Sequence, residues 1–500
     1  MIKSKWLALL LFLAPWFIQA QTVKSFEGID ASQQQNNVLK RDVDPNGAVG
    51  TKQYMEWVNI SLWAWDKVTF APVWPNPIPA GTPWQSNPNT PDCANNGIRG
   101  DGVVNFDRLA SRWVVSGHST PTTTNNYYFC IAVSSTDDLS ASNLTWYSFE
   151  FLLNPFLGTT KGLAYFPDWP KLGTWPDAYY LGLDVLDPAN YKFAGNLACA
   201  VDRTNILTNS TPRPIQCVKF NSGLPYLYHS LEPSDVDGTT APPAGQDNIL
   251  VSIQAPKRSG QNTKSTQINL WDFQLDPNWS GKSKLVRSYL TVPAFTPGCY
   301  EPSKPDDTVC VPEPAKKSNG SHYLIDSLGD RLMWRLAYRN FGTYQSWLVS
   351  HTVRVGINAS KRTGIRWYEL RGTGVPTLHQ SGTINPDKVT FRFMPSIAQD
   401  HDGNAAIGYS VGNALIHPGI RASSWSLVNN TKPVEVDILD GGGDQENTVK
   451  WGTYTSMTVD PVDDCTFWYV NQYLTANQTQ QNVIWQTRIS NFKVASCSAR

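Results

Sequence analysis

Six polar residues combine types that could act on a carbohydrate, and they stand at comparable points of a loose internal repeat. They are Asp101, Asp168, Lys171, His322, Arg392 and Tyr454. Paired carboxyl groups hydrolyse glycosidic bonds, one giving a proton and the other acting as base or nucleophile. A His or Tyr beside a cation can instead remove the proton next to a uronate carboxylate, as a polysaccharide lyase does. Each residue also has a structural interpretation, because Asp favours turns and aromatic rings pack between sheets.

Five arginines lie in strand-like segments and could clamp a carboxylate: Arg335, Arg339, Arg366, Arg392 and Arg421. A sialidase-type site needs three arginines that converge on one carboxylate, together with an acid and a tyrosine paired with a carboxylate. The alternative is a structural role, in which each guanidinium is buried with an acidic partner between sheets. His322 and His351, which lie near arginines and tyrosines, are the candidate bases of a lyase, and for them too a hydrogen-bonded structural role is the alternative.

Two Asp-rich turns resemble calcium loops in part. Asp42–Gly47 places oxygen donors at alternate positions, but Gln53 stands at the twelfth position, where such a loop has a bidentate acid. Asp400–Asn404 contains Asp-Gly between two apolar runs, which is a hairpin signal. We interpret both as turns. The motifs of zincins, α/β-hydrolases, phosphate loops and dinucleotide folds do not occur, so neither a metal nor a cofactor is expected.

The elements that must position these residues are short β-strands. Runs of β-branched and aromatic residues recur between clusters of Gly, Pro, Asn and Asp, for example at Gln53–Ile60 and Thr466–Val470. Helical periodicity is almost absent. The chain contains 20 tryptophans and 20 tyrosines, which suits sheets that pack face to face. An all-β fold is predicted.

A repeat of a strand, an Asp-containing turn and an aromatic-rich strand recurs to give about seven units. A four-stranded sheet cannot bury both of its faces alone, whereas sheets arranged around an axis cover one another and leave only short edges. We therefore predict one β-propeller domain, most simply seven-bladed, over residues 21–500. In such a ring the residues that enter the innermost strands converge on the central funnel, which is why the six polar residues above are grouped as a ligand-binding site.

All eight cysteines lie beyond the first twenty residues, and an even number in an exported chain predicts disulfides. Sequence neighbours are the simplest partners, because each pair then falls within one repeat or its loop. The predicted pairs are Cys93–Cys130, Cys199–Cys217, Cys299–Cys310 and Cys465–Cys497. No Cys/His spacing indicates zinc.

Residues 1–20 have the pattern of a signal peptide. Lys3 and Lys5 precede an apolar stretch that is too short to span a bilayer, and Ala20 suits the residue before a cleavage point. A secreted, monomeric protein without a membrane span is therefore expected, either extracellular or periplasmic. The chain carries 41 basic and 41 acidic residues, so no electrostatic surface for nucleic acid is expected.

Several sequence segments resemble those of a family of large exported bacterial β-propeller proteins that is similar in outline to the sialidase superfamily. They are Asp44–Gly50 with Tyr54, Asp168–Tyr180, Trp334–Phe341, Asp402–Ser410, Trp451–Tyr454 and Asp460–Tyr469. The resemblance runs through nearly all of the chain after the leader and implies fold and export, but no particular reaction. Thr453 departs from it, since an acidic residue is expected after Trp-Gly.

Two classes of function remain open from the sequence. The first is a secreted module that binds a glycan or a protein at the funnel of the propeller. The alternative is a carbohydrate-active enzyme that uses the same funnel, either a sialidase-like glycoside hydrolase or a polysaccharide lyase. Concave sites lined by aromatic rings suit sugars, because ring faces stack on the apolar faces of the sugar while polar neighbours bind the hydroxyls.

Overall fold

The fold was obtained as a computed structural model, which describes residues 23–34, 43–94, 98, 100–119, 126–221, 226–256, 265–301, 308–356, 361–446, 448–479 and 482–498. The predicted signal peptide lies outside these residues. The protein is all-β, as the sequence predicts, and its helical segments are single turns. They are the 3₁₀ turns Ala31–Gln33 and Thr82–Trp84 and the α-helices Pro91–Ala94, Asn154–Leu157 and Arg203–Leu207. None of the described helices has the length and apolar character that a bilayer crossing requires.

The strands are numbered in chain order. The first half of the chain contains β1 Lys24–Asp30, β2 Asn46–Val49, β3 Gln53–Val58, β4 Ser61–Asp66, β5 Ile78–Pro79, β6 Val103–Asp107, β7 Arg112–Ser119, β8 Tyr128–Ser134, β9 Trp146–Leu152, β10 Thr159–Thr160, β11 Leu163–Ala164, β12 Phe166–Thr174, β13 Tyr179–Leu186, β14 Phe193–Val201, β15 Gln216–Asn221, β16 Tyr226–Leu227, β17 Glu232–Asp237 and β18 Asn248–Ile253. The second half contains β19 Ala255–Pro256, β20 Ser265–Gln274, β21 Lys284–Phe295, β22 Val309–Lys316, β23 His322–Asp326, β24 Met333–Asn340, β25 Gln345–Arg354, β26 Thr363–Gly372, β27 Thr377–Ile384, β28 Phe391–Gln399, β29 Asn404–Asn413, β30 Ile416–Ser426, β31 Val434–Leu439, β32 Ser456–Val459, β33 Thr466–Leu474 and β34 Trp485–Lys493.

These strands form a β-propeller. Five four-stranded sheets consist of β2–β5, β6–β9, β12–β15, β28–β31 and β32–β34 with β1. An eight-stranded sheet joins β17, β18, β20 and β21 to β24–β27 through the parallel pair β17/β24, and its two halves have the same antiparallel order as the other sheets. We interpret these seven four-stranded units as seven blades, numbered blade 1 (β2–β5) to blade 7 (β32–β34 with β1) in chain order.

The first strand of every blade belongs to an inner ring. In chain order β2, β6, β12, β17, β24, β28 and β32 each contact the next, and β32 contacts β2. β1 pairs with β34 and is the outermost strand of blade 7. The N-terminal end of the described chain therefore completes the last blade and so closes the ring. Because the inner strands all begin at the same end of the ring, side chains that precede them meet there.

Close approach between blades requires glycine at some strand positions. A Cβ on Gly182 would lie 2.0 Å from the Leu231 carbonyl oxygen, and one on Gly408 would lie 2.3 Å from the Tyr469 ring. Tryptophans fill much of the remaining space between sheets, among them the fully buried Trp57 and Trp347. The aromatic-rich composition therefore serves blade packing, as the sequence indicates.

All four predicted disulfides are present. The bonds join Cys93 to Cys130, Cys199 to Cys217, Cys299 to Cys310 and Cys465 to Cys497. Two lie within blades: one links neighbouring strands β14 and β15, and one ties the segment before β33 to the segment after β34. The four bonds fit a secreted or extracellular protein.

Glu56 places a buried carboxyl group behind the closing strand β1, where its Oε2 accepts a 2.9 Å hydrogen bond from the Ile29 amide. Burial raises the pKa of Glu56 to about 8, against the hydrogen bonds from Thr487 and Ile29. Because this folded pKa lies above the unfolded value of about 4.3, the contribution to stability is full at low pH and is lost as the pH rises through about 8.

We therefore expect Glu56→Gln to raise Tm at pH 9 by several degrees relative to the unmodified protein and to leave it nearly unchanged at pH 5. Thermal unfolding followed by circular dichroism at the two pH values measures this difference. Glu27→Gln is the control, because Glu27 lies on β1 itself with an exposed carboxylate that pairs with Arg488. An equal response of both variants at pH 9 would contradict the role of burial.

Candidate functional site

One end of the inner ring carries a repeated left-handed residue. At or shortly before each inner strand, one residue has a φ between 34° and 61°. These residues are Asp44, Asp101, Trp169, Ser230, Leu328, Met394 and Gly452. Non-glycine residues adopt this conformation rarely, and such residues cluster at functional sites. The bend interrupts the β12/β13 and β28/β29 ladders, and it brings the residues around it into a common cavity.

The cavity has a volume of about 280 Å³. It is lined by Asp44, Asn59, Asp101, Asp168, Trp169, Asp326, Leu328, Arg331, Met394, Lys450, Trp451 and Thr453. Blades 1, 2, 3, 6 and 7 and the loop between β23 and β24 all contribute, so the cavity lies at the mouth of the ring. Its volume approaches the lower end of the range for small-molecule sites, about 300 Å³.

Two tryptophans form apolar walls with fixed orientations. Trp169 Nε1 donates a 2.9 Å hydrogen bond to Ser230 Oγ, and the Arg331 guanidinium lies 4.8 Å from the Trp169 ring centroid. Trp451 Nε1 donates a 2.9 Å hydrogen bond to Ser410 Oγ. Both side chains are largely buried, with exposed fractions of 8% and 1%, so they form fixed apolar parts of the cavity wall.

Carboxyl groups dominate the polar lining. Burial, and then the charges of Asp44 and Asp168, raise the pKa of Asp101 well above its usual value, while Lys171 lowers it. Thr453 Oγ1 donates to Asp44 Oδ1. Asp326 accepts a 2.5 Å hydrogen bond from Thr308 Oγ1. A raised pKa shifts Asp101 toward its protonated form, which is the state required of a general acid.

Lys171, Glu232 and Tyr454 lie fully buried beside the lining residues. Lys171 Nζ is 3.2 Å from the Tyr454 ring centroid and 4.1 Å from the Trp169 ring centroid. Burial lowers the pKa of Lys171 to about 8, against the charges of Glu232 and Asp101. Burial also raises the pKa of Glu232 to about 7, although Lys171 opposes this. Lys171 Nζ, Glu232 Oε2 and Tyr454 Oη have no hydrogen-bond partner in the described structure.

An ion-pair network supports the wall formed by Trp169. Arg331 binds Asp330 through Nε at 2.9 Å and Nη2 at 3.2 Å. His229 Nδ1 lies 2.6 Å from Asp184 Oδ2, and Ser230, the partner of the Trp169 indole, donates its amide to Asp184 Oδ1 at 2.9 Å. The network therefore connects the positions of Arg331 and Trp169 to blades 3 and 4.

The six residues grouped from the sequence are distributed unequally. Asp101 and Asp168 line the cavity, and Lys171 and Tyr454 lie beside it. His322 is on β23, where its Nδ1 is 2.6 Å from the Glu313 carbonyl oxygen. Arg392 is saturated by Glu435 and Asp387. The structure thus brings four of the six together, and His322 and Arg392 are outside the lining.

Three arginines do converge, but their partners are internal. Arg335 binds Asp235 and Asp237, while Arg339 and Arg108 share Asp464. This cluster lies toward the ends of the inner strands, whereas the cavity lies at their beginnings. Arg366 and Arg421 are elsewhere, on β26 and β30. The structural alternative given for these arginines therefore holds for Arg335 and Arg339.

The other sequence candidates have structural surroundings. His351 is fully buried on β25, with its Nε2 3.1 Å from Tyr368 Oη, and burial lowers its pKa well below the usual value. Asp400 caps a hairpin turn by accepting from the Asn404 amide at 2.8 Å. Asp42 lies outside the described residues. His401 approaches Cys465 and Cys497, but both sulfurs are in a disulfide and are not free to bind a metal.

Asp44, Asp326, Arg331, Trp169 and Glu232 were not selected from the sequence. One signal could have identified two of them, because Asp44 and Trp169 each precede a proline, as the left-handed Met394 does. Proline in a strand is confined to edges and bulges, so an X-Pro step that opens an inner strand indicates a bend. Asp326 and Arg331 carry no comparable signal, since their loop reaches the cavity only through the tertiary fold.

No protein-family model matches the chain, and no curated protein matches it. Solved structures are similar at low identity. The α-L-arabinanase of Penicillium chrysogenum in complex with arabinobiose is 8% identical, with 95% of this chain and 100% of that chain covered and a TM-score of 0.40. The GH93 α-L-arabinofuranosidase of Fusarium graminearum is 8% identical, with 95% and 99% covered and a TM-score of 0.41.

A subtype N10 neuraminidase-like protein of A/little yellow-shouldered bat/Guatemala/060/2010 is also similar, at 8% identity, 84% of this chain, 99% of that chain and a TM-score of 0.36. These likenesses are too distant to assign an activity. The propeller assignment comes from the sheet topology, and the function has to be argued from the cavity.

Proposed function

We propose that the protein is a carbohydrate-active enzyme, a glycoside hydrolase whose site is the cavity at the mouth of the propeller. Asp101 is the general acid, and a carboxylate of Asp44 or Asp168 is the base or nucleophile. The observation that carries the proposal is the placement of Asp44, Asp101 and Asp168 in one cavity, where burial and the charges of the two neighbours raise the pKa of Asp101. Two carboxyl groups with different proton affinities divide the acid and base roles of glycoside hydrolysis.

The walls of the cavity support a sugar as the substrate. Trp169 and Trp451 contribute apolar surface, and Asp168 and Asp326 offer acceptors for hydroxyl groups. The lyase alternative has less support, because it needs a His or Tyr base beside an uncommitted cation. His322 and His351 lie outside the lining, and Tyr454, although close to Lys171, has its pKa raised well above the usual value by burial and then by Asp101 and Asp168.

A panel of polysaccharides tests the proposal directly. The purified protein is incubated with each polymer, and reducing ends, unsaturated uronates and retention on the immobilised polymer are measured together. New reducing ends without unsaturated products support hydrolysis. Unsaturated uronates would show lyase chemistry and contradict the assignment of Asp101.

A glycan-binding module without turnover is the second candidate. Thr453 favours it, since the family resemblance places an acid there and the structure uses the threonine hydroxyl to donate to Asp44. If the missing acid did the chemistry in relatives, this protein would keep the cavity and lose the reaction. Retention of a polymer with no new reducing ends supports this candidate over the hydrolase.

A further inference from the structure

The charge of the cavity lining is unbalanced. Four aspartates line it, namely Asp44, Asp101, Asp168 and Asp326, against the two cationic side chains of Arg331 and Lys450. Lys450 is at the exposed rim. Inside, the carboxyl groups therefore outnumber the cations, although the raised pKa of Asp101 reduces its share of the negative charge.

The nearby buried cations are matched by acids of their own. Arg331 is held by Asp330 at 2.9 Å, and its Nη1 is 3.9 Å from Asp184 Oδ2. Lys171 is enclosed by the Trp169 and Tyr454 rings and is opposed by the charge of Glu232. Each cation acts on one lining aspartate, Lys171 on Asp101 and Arg331 on Asp326, but shares its charge with an acid outside the lining.

A ligand carboxylate would also find no uncommitted guanidinium among the described lining residues. The strongest carboxylate sites in proteins are bidentate arginines. Arg331 already gives Nε and Nη2 to Asp330, and the converging Arg108, Arg335 and Arg339 are occupied by internal aspartates. An acidic sugar would thus meet the lining carboxyl groups without an uncommitted guanidinium to bind it.

An uncharged sugar ring finds complementary groups in the same place. Its hydroxyls can donate to the Asp101 and Asp168 carboxyl oxygens. At the buried side, Lys171 Nζ and Tyr454 Oη have no hydrogen-bond partner in the described structure, so an acceptor oxygen or an intervening water would satisfy them. Trp169 and Trp451 add apolar surface to the same lining.

We infer that the cavity selects an uncharged sugar residue and rejects acidic sugars such as uronates and sialic acids. The inference rests on the proposed function only in taking the ligand to be a carbohydrate; it does not require turnover. It separates this site from the carboxylate-clamping chemistry that a sialidase-like outline implies.

Binding to matched polymers tests the inference. A neutral polysaccharide retained by the protein is compared with the same polymer after oxidation of its primary alcohols to carboxylates, at pH 7 and low ionic strength. Oxidation is expected to weaken binding about tenfold or more, since repulsion between like charges at short range in a protein site raises Kd by that factor or more. Added salt is expected to reduce the difference.

Asp168→Asn is expected to recover part of the affinity for the oxidised polymer, by severalfold, because it removes one of the opposing charges. Asp440→Asn is the matched control: its carboxylate is 83% exposed and pairs with Arg421 on the outer side of blade 6. An equal gain in both variants would overturn the inference, as it would show a bulk charge effect.

The outcomes separate this inference from the proposed hydrolysis. Retention of neutral polymers without cleavage supports the selectivity and contradicts the proposed hydrolysis. Cleavage or retention confined to acidic polymers overturns the selectivity and leaves hydrolysis. Absence of retention on every polymer overturns both.

Discussion

Replacement of Asp101 by asparagine is expected to lower kcat for glycan hydrolysis by about 10²–10⁴-fold, the contribution of a positioned general acid. Asparagine has nearly the same shape, but it cannot deliver a proton to the leaving oxygen. Burial and the charges of Asp44 and Asp168 raise the pKa of Asp101. The asparagine has no acidic proton on which these effects could act. KM is expected to change little, because the walls formed by Trp169 and Trp451 are unaltered.

The pH dependence gives the same prediction a second readout. In the unmodified protein the rate should fall as the pH rises through the raised pKa of Asp101, since the acid form is then lost. In Asp101→Asn this alkaline limb should disappear. A substrate with a leaving group that needs no protonation, such as an activated aryl glycoside, should be hydrolysed by the variant with a much smaller loss.

Asp440→Asn serves as the control for Asp101→Asn, because Asp440 is exposed and remote from the cavity. Rates should be measured on the polymer and on the activated glycoside with each protein. If Asp101→Asn keeps the full rate on the polymer, the proton comes from another group and the assignment of Asp101 is wrong. If the rates of the variant on the polymer and on the activated glycoside fall by equal factors, Asp101 positions the substrate and does not give the proton.

The fold was accessible from the sequence because its determinants are local. Strands such as Gln53–Val58 and Thr466–Leu474 carry β-branched and aromatic residues between turn residues. The cysteine pairs followed from proximity along the chain, since each closes a short loop within one repeat. The closing of blade 7 by β1 leaves no comparable mark, because that pairing joins opposite ends of the chain.

The sequence identified site residues only where a comparable position of the repeat carries a side chain that could do chemistry. Asp101 and Asp168 satisfied both conditions. Glu232 occupies the equivalent place in blade 4, two residues after a left-handed residue, as Lys171 does in blade 3, but the polar stretch around it obscured the repeat. Arg392 misled for the opposite reason: it begins an inner strand, yet it points to Glu435 on the outer strand of its own blade. The direction of a side chain around a bulge depends on backbone angles that composition does not reveal.

The largest expected effect on stability concerns Arg335, which joins four blades at the centre of the ring. It gives Nε to Asp235 at 2.7 Å and two further nitrogens to Asp237 at 2.9 and 3.0 Å. Asp235 in turn accepts from Asn105 on β6 and from the Thr174 amide on β12, at 2.7 and 2.9 Å. Removal of the guanidinium would leave the buried Asp235 carboxylate without its counter-charge and would leave Asp237 with the more distant Arg108, at 3.7 Å.

Arg335→Met is therefore expected to lower the free energy of unfolding by about 3–5 kcal/mol, the cost of breaking a buried pair on one side. Denaturant unfolding at pH 7 measures it. Arg421→Met is the control, expected to cost about 1 kcal/mol or less, because its partners Asp437 and Asp440 are 78% and 83% exposed. Equal losses in the two variants would contradict a central role for Arg335.

The pH dependence of this loss identifies its cause. Burial already raises the pKa of Asp235, and Arg335 is the main charge that lowers it. Without Arg335, the pKa of Asp235 should rise further, so its contribution to stability should be retained at low pH and lost as the pH rises. The difference in free energy of unfolding between Arg335→Met and the unmodified protein should thus narrow at pH 4 to 5. Adding Asp235→Asn to Arg335→Met should recover much of the loss at pH 7, since Asp235 is then uncharged and Asp237 keeps Arg108, whose Nη2 is 3.7 Å from Asp237 Oδ1. A gap that stays constant with pH would instead assign the loss to packing around the Arg335 side chain.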